Sequence, residues 1–372
     1  MFFFIVFILY TVVNSYIFYR GWKALPTSRL SRIIYSILFF VACSAFIVSM
    51  LGRNVIPLEI QKILYFIGTT WMAVMLYLTL YFLITDLIYG INRVWRFIPK
   101  TFTPRLFYRF QVISGYALVL IILLIAYPKF ANPVIVEKEI TIHKSGNKHS
   151  ELKVLVFSDL HLGVTIGKAR LQKYVQLINE QKPDIILIAG DIIDNNVLPL
   201  NKERMYEEMN QLHAPLGVYV CLGNHEYLSG IDDSMDFLKK TKLTVLVDNA
   251  VLIDDSFWII GRDDLITGNR KSIKELLAQT NIEQPLILLD HQPHFLAEAE
   301  ENGIDFQFSG HTHGGQLFPI NLIVNKMFEV GHGYAKKGNT HVYVTSGLAL
   351  WGPPYRLGTQ SEIVIFRIHF KE

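Results

Sequence analysis

Cysteine is nearly missing from this chain, and the two present, Cys43 and Cys221, sit in an apolar run and in an expected strand. A structural disulfide between them is not expected, and so small a number says little about redox compartment. Charge imbalance is also small. A net +3 over 372 residues draws no nucleic-acid footprint, and nucleic acid is not expected as a partner. Internal repeats and low-complexity tracts are absent. The first apolar run starts without a basic flank ahead of it and lacks a small-residue cleavage site, which argues against a removable signal peptide. What the chain has in excess is apolar: 51% hydrophobic residues and a mean hydropathy of +0.31, high for one soluble globule, with the long runs within the first 130 positions.

Four of those runs are long enough to cross a bilayer, about Phe2–Tyr19, Ile33–Leu51, Ile63–Tyr89 and Val112–Tyr127. Asp86 falls near the end of the third, where a side chain reaches the interface, and reads as interfacial rather than as a proton relay. The gap after the first run carries Arg20, Lys23, Arg29 and Arg32, and the gap after the third carries Arg93, Arg96, Lys100, Arg105 and Arg109. The second gap has only Arg53 and Lys62. The basic excess assigns the first and third gaps to the cytoplasm, which leaves the N-terminus and everything after residue 130 outside. The expectation is an integral protein of the plasma (inner) membrane with an extracytoplasmic domain. The spans serve either as an anchor or as a bundle that also binds a lipid substrate.

After Pro128 the pattern changes. EITIHK and LKVLVF read as strands joined by a turn at KSGNKHS. Short apolar strands then alternate with helical stretches, which argues for a layered α/β domain. Adjacent strands near residues 244–262 lack an intervening helix and suggest a second or mixed sheet. The division expected is a four-helix transmembrane domain over 1–130 and an α/β domain over 131–372.

Five expected strands in that domain end on metal-ligand chemistry. FSDLHLG offers Asp159 and His161, LIAGDIID offers Asp191, and VCLGNHE offers Asn224, His225 and Glu226. LLDHQPH offers His291, and FSGHTHGG offers His311 and His313. Ligand sites of open α/β sheets gather at the C-terminal ends of strands, so five such ends place these side chains at one edge. Imidazole and carboxylate donors suit borderline divalent ions, Mn, Fe, Zn or Co, and two ions fit if one carboxylate bridges. Gly190, Gly223 and Gly310 beside the ligands permit the close backbone approach that such a cluster needs. Two ions about 3.5–4 Å apart activate water and clamp the attacking and leaving oxygens of a phosphoryl group.

The ordered set D-x-H, G-D, G-N-H-E, H, G-H-x-H resembles the calcineurin-like metallophosphoesterases over about residues 150–372. GHTHGGQ followed by YVTSGLALWGPPYRLGTQSEI looks closest to the bacterial membrane-associated YkuE/YaeI-type branch. That resemblance implies a four-layer αββα sandwich with a dinuclear site at its edge. It also implies that one ion takes Asp159, His161, Asp191 and His313, and the other takes Asp191, Asn224, His291 and His311. His225 would protonate the leaving oxygen, with Glu226 orienting it.

Other positions leave two readings open. Asp194 is an outer-shell acid or a loop residue, and Arg356 neutralises phosphate charge or pairs with a carboxylate such as Glu362. Asp263 and Asp264 have no assigned role. His213, His294, His332 and His341 fit no motif slot. The apolar LFPINLIVNKMF, residues 317–328, is buried core or an exposed lip beside the site, with Trp351 and Tyr355 as candidates for the same rim. The function expected is a membrane-bound, metal-dependent phosphoesterase acting on a lipid-linked or membrane-associated phosphoester. The alternatives are an anchored phosphodiesterase or phosphomonoesterase for soluble substrates, and a non-catalytic binding scaffold. The expected sidedness is testable in a chain without Cys43 and Cys221. A cysteine placed in the KSGNK turn reacts with a membrane-impermeant thiol reagent in intact cells or spheroplasts, and one placed between Arg93 and Arg109 does not. The opposite labelling pattern reverses the topology.

Overall fold

Four helices account for the apolar first third: α1 (Phe2–Ala24), α2 (Arg29–Leu51), α3 (Leu58–Trp95) and α4 (Pro104–Ala131). All four are long and apolar enough to cross a membrane. The computed structural model describes residues 2–99, 101–144 and 148–371. The helices outrun the apolar stretches that define them. At 1.5 Å per residue the 38 residues of α3 reach about 57 Å, well beyond a hydrocarbon core of about 30 Å. Arg20, Lys23, Arg93, Arg105 and Arg109, read from the sequence as gap residues, therefore ride on helix ends. Asp86, read from the sequence as an interfacial side chain, is half-buried. Its carboxylate is tied within the bundle by the Arg20 guanidinium, by the Tyr16 hydroxyl at 2.6 Å and by Gln111 Nε2 at 2.9 Å. A carboxylate facing apolar surroundings needs such partners, and α1 and α4 supply them.

The chain forms two compact units, Met1–Tyr127 with Gly352–Tyr355, and Pro128–Trp351 with Arg356–Glu372. The second unit is built on twelve strands. In chain order they are β1 (Val134–His143), β2 (Glu151–Phe157), β3 (Ile185–Ala189), β4 (Val218–Cys221), β5 (Thr244–Leu246) and β6 (Asn249–Ile253). There follow β7 (Phe257–Gly261), β8 (Leu286–Leu289), β9 (Phe306–Ser309), β10 (Gly333–Lys337), β11 (Thr340–Val344) and β12 (Glu362–Lys371). Two six-stranded sheets result, ordered β1-β12-β2-β3-β4-β5 and β10-β11-β9-β8-β7-β6. The helix-free stretch near 244–262 is where the chain leaves one sheet at β5 and enters the other at β6.

The inner faces of both sheets share one core. Val154, Val156, Leu187 and Phe366 of the first sheet meet Ile259, Ile287, Leu289 and Phe306 of the second. Phe306 and Phe366 touch with ring centroids 4.6 Å apart. On the outer face of the first sheet, Leu155, Phe157, Ile186 and Ile188 pack against the helix Lys168–Glu180 through Leu171, Tyr174, Val175 and Ile178. Outside the second sheet, Leu286 and Leu288 pack against Ile273, Leu276 and Ala299 of two short helices. The layers run α, β, β, α. Burial on both faces explains why β2, β3, β8 and β9 read as continuous apolar runs instead of alternating.

The two strands expected on either side of the KSGNKHS turn are β1 and β2, and the C-terminal strand β12 lies between them, parallel to β1 and antiparallel to β2. Part of the KSGNKHS turn, residues 145–147, lies outside the described residues. Arg356 does neither thing expected of it. It is fully buried, and its guanidinium donates to the carbonyls of His313, Ser346, Gly347 and Ala349 and to Thr359 Oγ1. Glu362 is instead satisfied by Thr345 Oγ1 at 2.8 Å, the Ser346 N–H at 2.9 Å and His332 at 3.3 Å.

Candidate metal centre

Each candidate ligand stands one to four residues past a strand end. Asp159 and His161 follow β2, Asp191 follows β3, Asn224 follows β4, His291 follows β8, and His311 and His313 follow β9. The first three strands belong to one sheet and the last two to the other, so the cluster closes the common edge of the sandwich. Backbone hydrogen bonds lash these ends together. Asp159 N–H donates to the Gly190 carbonyl at 3.2 Å, His161 N–H to Asp191 at 3.0 Å and Gly310 N–H to His291 at 2.9 Å.

The side chains converge in three overlapping groups: Asp159 with His161 and His313, Asp191 with His291 and His311, and His161 and Asp191 with His225. Asp159 Oδ1 lies 3.7 Å from His161 Nε2 and 3.6 Å from His313 Nε2, and those two nitrogens are 3.3 Å apart. Asp191 Oδ2 lies 3.1 Å from His291 Nε2 and 3.6 Å from His161 Nε2, so one carboxylate oxygen faces the first two groups together. Asn224 Oδ1 is 2.8 Å from His311 Nδ1 and 3.2 Å from His291 Nε2. All seven residues predicted from sequence as ligands are thus brought together.

The donor set fits divalent ions. Donors each about 2.0–2.1 Å from one ion stand about 3–3.5 Å from each other, near the separations seen here. Burial pushes the His311 imidazole down to about 4 and that of His313 to about 3, so both are neutral and offer lone pairs at neutral pH. Burial works against ionisation of Asp191, but the His291 imidazole beside it holds the carboxyl well below its usual range. His291 Nδ1 lies 2.7 Å from the Ala189 carbonyl, to which it donates, and this aims Nε2 at the cluster. Nδ1 of His161 and Nδ1 of His313 are buried without a hydrogen-bond partner.

The backbone is forced where it delivers ligands. Asp159, His161, Asp191, His311 and His313 have φ of 56°, 44°, 53°, 70° and 50°. This left-handed region is uncommon for residues with a Cβ and marks sites where the fold holds a conformation against its local preference. Gly223 and Gly310 permit the crowding, since a Cβ on either would collide with the carboxylate of Asp191 or of Asp159.

His225 lies beside His161 and Asp191. Its Nδ1 donates to the Asp194 carbonyl at 2.7 Å, leaving Nε2 free to face the cluster, and its ring lies 4.6 Å from that of His161. Glu226 does not orient this ring. Its buried carboxylate accepts the N–H groups of Gly223 at 2.7 Å, Asp191 at 3.1 Å and Ile193 at 3.0 Å, which joins the ends of β3 and β4. The Gly-x-x-Glu spacing of a capping box was the available signal for that task. Asp194 also sits beside the cluster, with Oδ1 3.8 Å from His161 Nδ1 and 3.7 Å from His225 Nδ1. Asp263 accepts from Tyr227 Oη at 2.5 Å and Asp264 from Gln292 Nε2 at 2.8 Å, so the GRDD stretch braces the loops after β4 and β8. His332 bonds Glu362, and His341 bonds Tyr334 Oη and the Thr141 carbonyl.

Leu317 is buried, but residues 318–327 form an exposed lip. Their helix Ile320–Met327 has no buried residue, and Leu322, Ile323 and Met327 are 57%, 58% and 67% exposed. Phe328 closes the helix with its ring 6.2 Å from His311 and 4.8 Å from His294. Trp351 is exposed at the rim with its ring 6.3 Å from His225, whereas Tyr355 is buried.

A family model described as calcineurin-like phosphoesterase matches residues 152–315. An uncharacterized metallophosphoesterase of Campylobacter jejuni is 28% identical over 393 residues, covering 100% of this chain and 99% of that protein. The uncharacterized metallophosphoesterase YkuE of Bacillus subtilis is 31% identical over 254 residues, 65% of this chain and 88% of the relative. A transmembrane protein with metallophosphoesterase domain from Danio rerio is 32% identical over 247 residues, 62% of this chain and 56% of that protein, so this chain spans just over half of its length.

The left-handed backbone at His161 predicts an inversion of the usual ranking of substitutions. A Cβ in that region costs about 1–2 kcal/mol, so in metal-free protein His161→Gly should be more stable than His161→Ala by about that amount. Denaturant midpoints of the two variants test this, and a more stable alanine variant contradicts it.

Proposed function

Because the chain belongs to the calcineurin-like phosphoesterase family, we propose that these side-chain groups hold two divalent ions and that it hydrolyses a phosphate ester presented at a membrane. The family is one of metal-dependent phosphoesterases with a dinuclear centre. One observation carries the assignment of residues: Asp191 Oδ2 faces His291 and His161 together, the position a shared carboxylate must occupy. Asp159, His161, Asp191 and His313 would hold one ion, and Asp191, Asn224, His291 and His311 the other. The metals themselves are of the borderline kind, Mn, Fe, Zn or Co. When bound, such a pair supplies Lewis acidity toward a phosphoryl group and acidifies water.

The chain's own residues supply the rest. His225 carries a proton on Nε2 to the leaving oxygen as the P–O bond breaks, while its Nδ1 stays bound to the Asp194 carbonyl. Glu226 is a positioning residue, acting through the backbone of Asp191 and Gly223. Residues 1–130 form the membrane domain and 131–372 the catalytic domain. The basic residues of the first and third gaps support an extracytoplasmic catalytic domain in the plasma (inner) membrane.

The exposed lip supports a lipid-linked substrate over a soluble one. Apolar side chains left open beside a polar site lower the cost of drawing an acyl-bearing phosphate toward the cluster, by about 0.8 kcal/mol for each CH₂ buried.

Two experiments separate these assignments. In metal analysis of purified protein, Asp191→Ala should lose both ions and Asn224→Ala chiefly one. His225→Ala should keep both ions yet lose rate by about 10²–10⁴-fold, less for nitrophenyl esters whose leaving groups need no proton. A single ion in fully active protein rules out the dinuclear reading. For the lip, Leu322→Ser with Ile323→Ser should raise KM for a long-chain lipid phosphate and leave a soluble nitrophenyl ester unchanged. An equal response of both substrates favours an anchored enzyme for soluble phosphoesters.

A further inference from the structure

The membrane bundle has a cavity of its own. It has a volume of about 620 Å³, within the range of ligand pockets, and is lined by Tyr35, Phe39, Ala42, Trp71, Ile113 and Arg109 among others. It lies between the C-terminal end of α1 and the first halves of α2, α3 and α4, with Leu25 and Pro26 of the connection from α1 to α2 in its wall. Its wall opens outward, since Leu38 and Ile113 are 64% and 71% exposed. In a membrane that opening faces acyl chains, not water.

Arg109 is the one charged residue on this wall. Its Nε donates to the Ala24 carbonyl at 3.2 Å, which holds the guanidinium at the groove. Its two terminal nitrogens have no hydrogen-bond or ion-pair partner among the described residues. No carboxylate is left to take them: the bundle has two acidic residues, with Asp86 bound to Arg20 and Glu59 to Lys62. Arg109 stands three residues before the fourth apolar run, near a helix end, where a basic side chain meets lipid headgroups. A second apolar groove, of about 300 Å³ along α1 and α2, is lined by Tyr10, Phe18, Phe40 and Cys43 and carries no charge.

We propose that the cavity is a site for one anionic phospholipid, with its phosphate on the Arg109 guanidinium and an acyl chain in the groove lined by Phe39, Ala42, Trp71 and Ile113. The terminal guanidinium nitrogens supply paired donors suited to phosphate oxygens, and basic pockets between membrane helices bind lipid headgroups in this way. The site takes its occupant from the bilayer and stands independently of the catalytic assignment. It gives the bundle a binding role beyond anchoring.

The test uses the full chain in mild detergent, offered phosphatidylglycerol and phosphatidylcholine of identical acyl chains, with retained lipid counted by native mass spectrometry. One phosphatidylglycerol per chain is expected, favoured about fivefold, because the choline cation of the zwitterionic lipid offsets its phosphate at the guanidinium. Arg109→Gln should bring the two lipids to equal retention, Arg109→Lys should keep part of the preference, and Arg105→Gln should keep it all. Ala42→Phe fills the groove and should reduce retention with Arg109 intact. Equal retention of both lipids by the unaltered chain, or an unchanged preference in Arg109→Gln, overturns the proposal. If the Arg109 variants fail to fold, Ala42→Phe decides, and unchanged retention there overturns it as well.

Discussion

Two carboxylates and five imidazoles crowd the common edge of the two sheets, and Asp191 stands at their centre. Its Oδ1 accepts the His225 N–H at 2.9 Å, and its Oδ2 is left to face imidazoles from both sheets. Burying carboxylates is costly unless positive charge or donors surround them. Here the edge is built to meet that demand. Glu226 holds the Asp191 loop by its backbone, the Ala189 carbonyl fixes His291, and the His311 N–H approaches both oxygens of Asp159 at 3.3 and 3.2 Å. Positive φ at five ligand positions shows the backbone conforming to the cluster and not the reverse. The apolar core between the sheets supplies the rigidity that keeps those conformations in place.

The same economy appears in the role of Arg356. A fully buried guanidinium usually has a carboxylate for company, yet this one gathers backbone carbonyls from His313 and from residues 346–349. It therefore supports the backbone behind a candidate ligand, and its charge is not presented to a phosphate. The active-site mouth is then left to His225, Trp351, Phe328 and the exposed helix Ile320–Met327. That distribution, polar cluster within and apolar rim without, suits a substrate with a charged end and a hydrocarbon end.

Membrane and catalytic chemistry are distributed differently along the chain. The bundle is apolar on its outside, and several of its polar side chains are matched inside, as with Trp71 Nε1 on Asn14 Oδ1 at 2.8 Å and Asp86 with its three donors. Arg109 departs from this pairing. The catalytic unit keeps its polar chemistry at one edge, and its strands β2, β3, β8 and β9 are apolar on both faces. Both units follow one rule: a polar group away from water is given a partner by the fold, or marks a place where something else binds.

Much of this was legible in order along the chain. Hydropathy runs disclosed four spans, because a bilayer-crossing helix needs a long apolar stretch whatever its tertiary surroundings. The seven candidate ligands were legible for a similar reason: each directly follows a short apolar strand, and strand ends in α/β sheets share one edge. Contacts between distant segments were not legible. Pairing of β12 between β1 and β2 joins residues more than 200 positions apart, and no local pattern encodes it. The division of ligands between two sheets, the transfer of His225 from Glu226 to the Asp194 carbonyl, and the burial of Arg356 in a ring of carbonyls were likewise decided by tertiary packing. The exposure of residues 318–327 belongs to the same class, since an apolar run reads alike whether buried or open. Residue chemistry and its order are local properties. Which donor meets which acceptor depends on where the whole chain brings them.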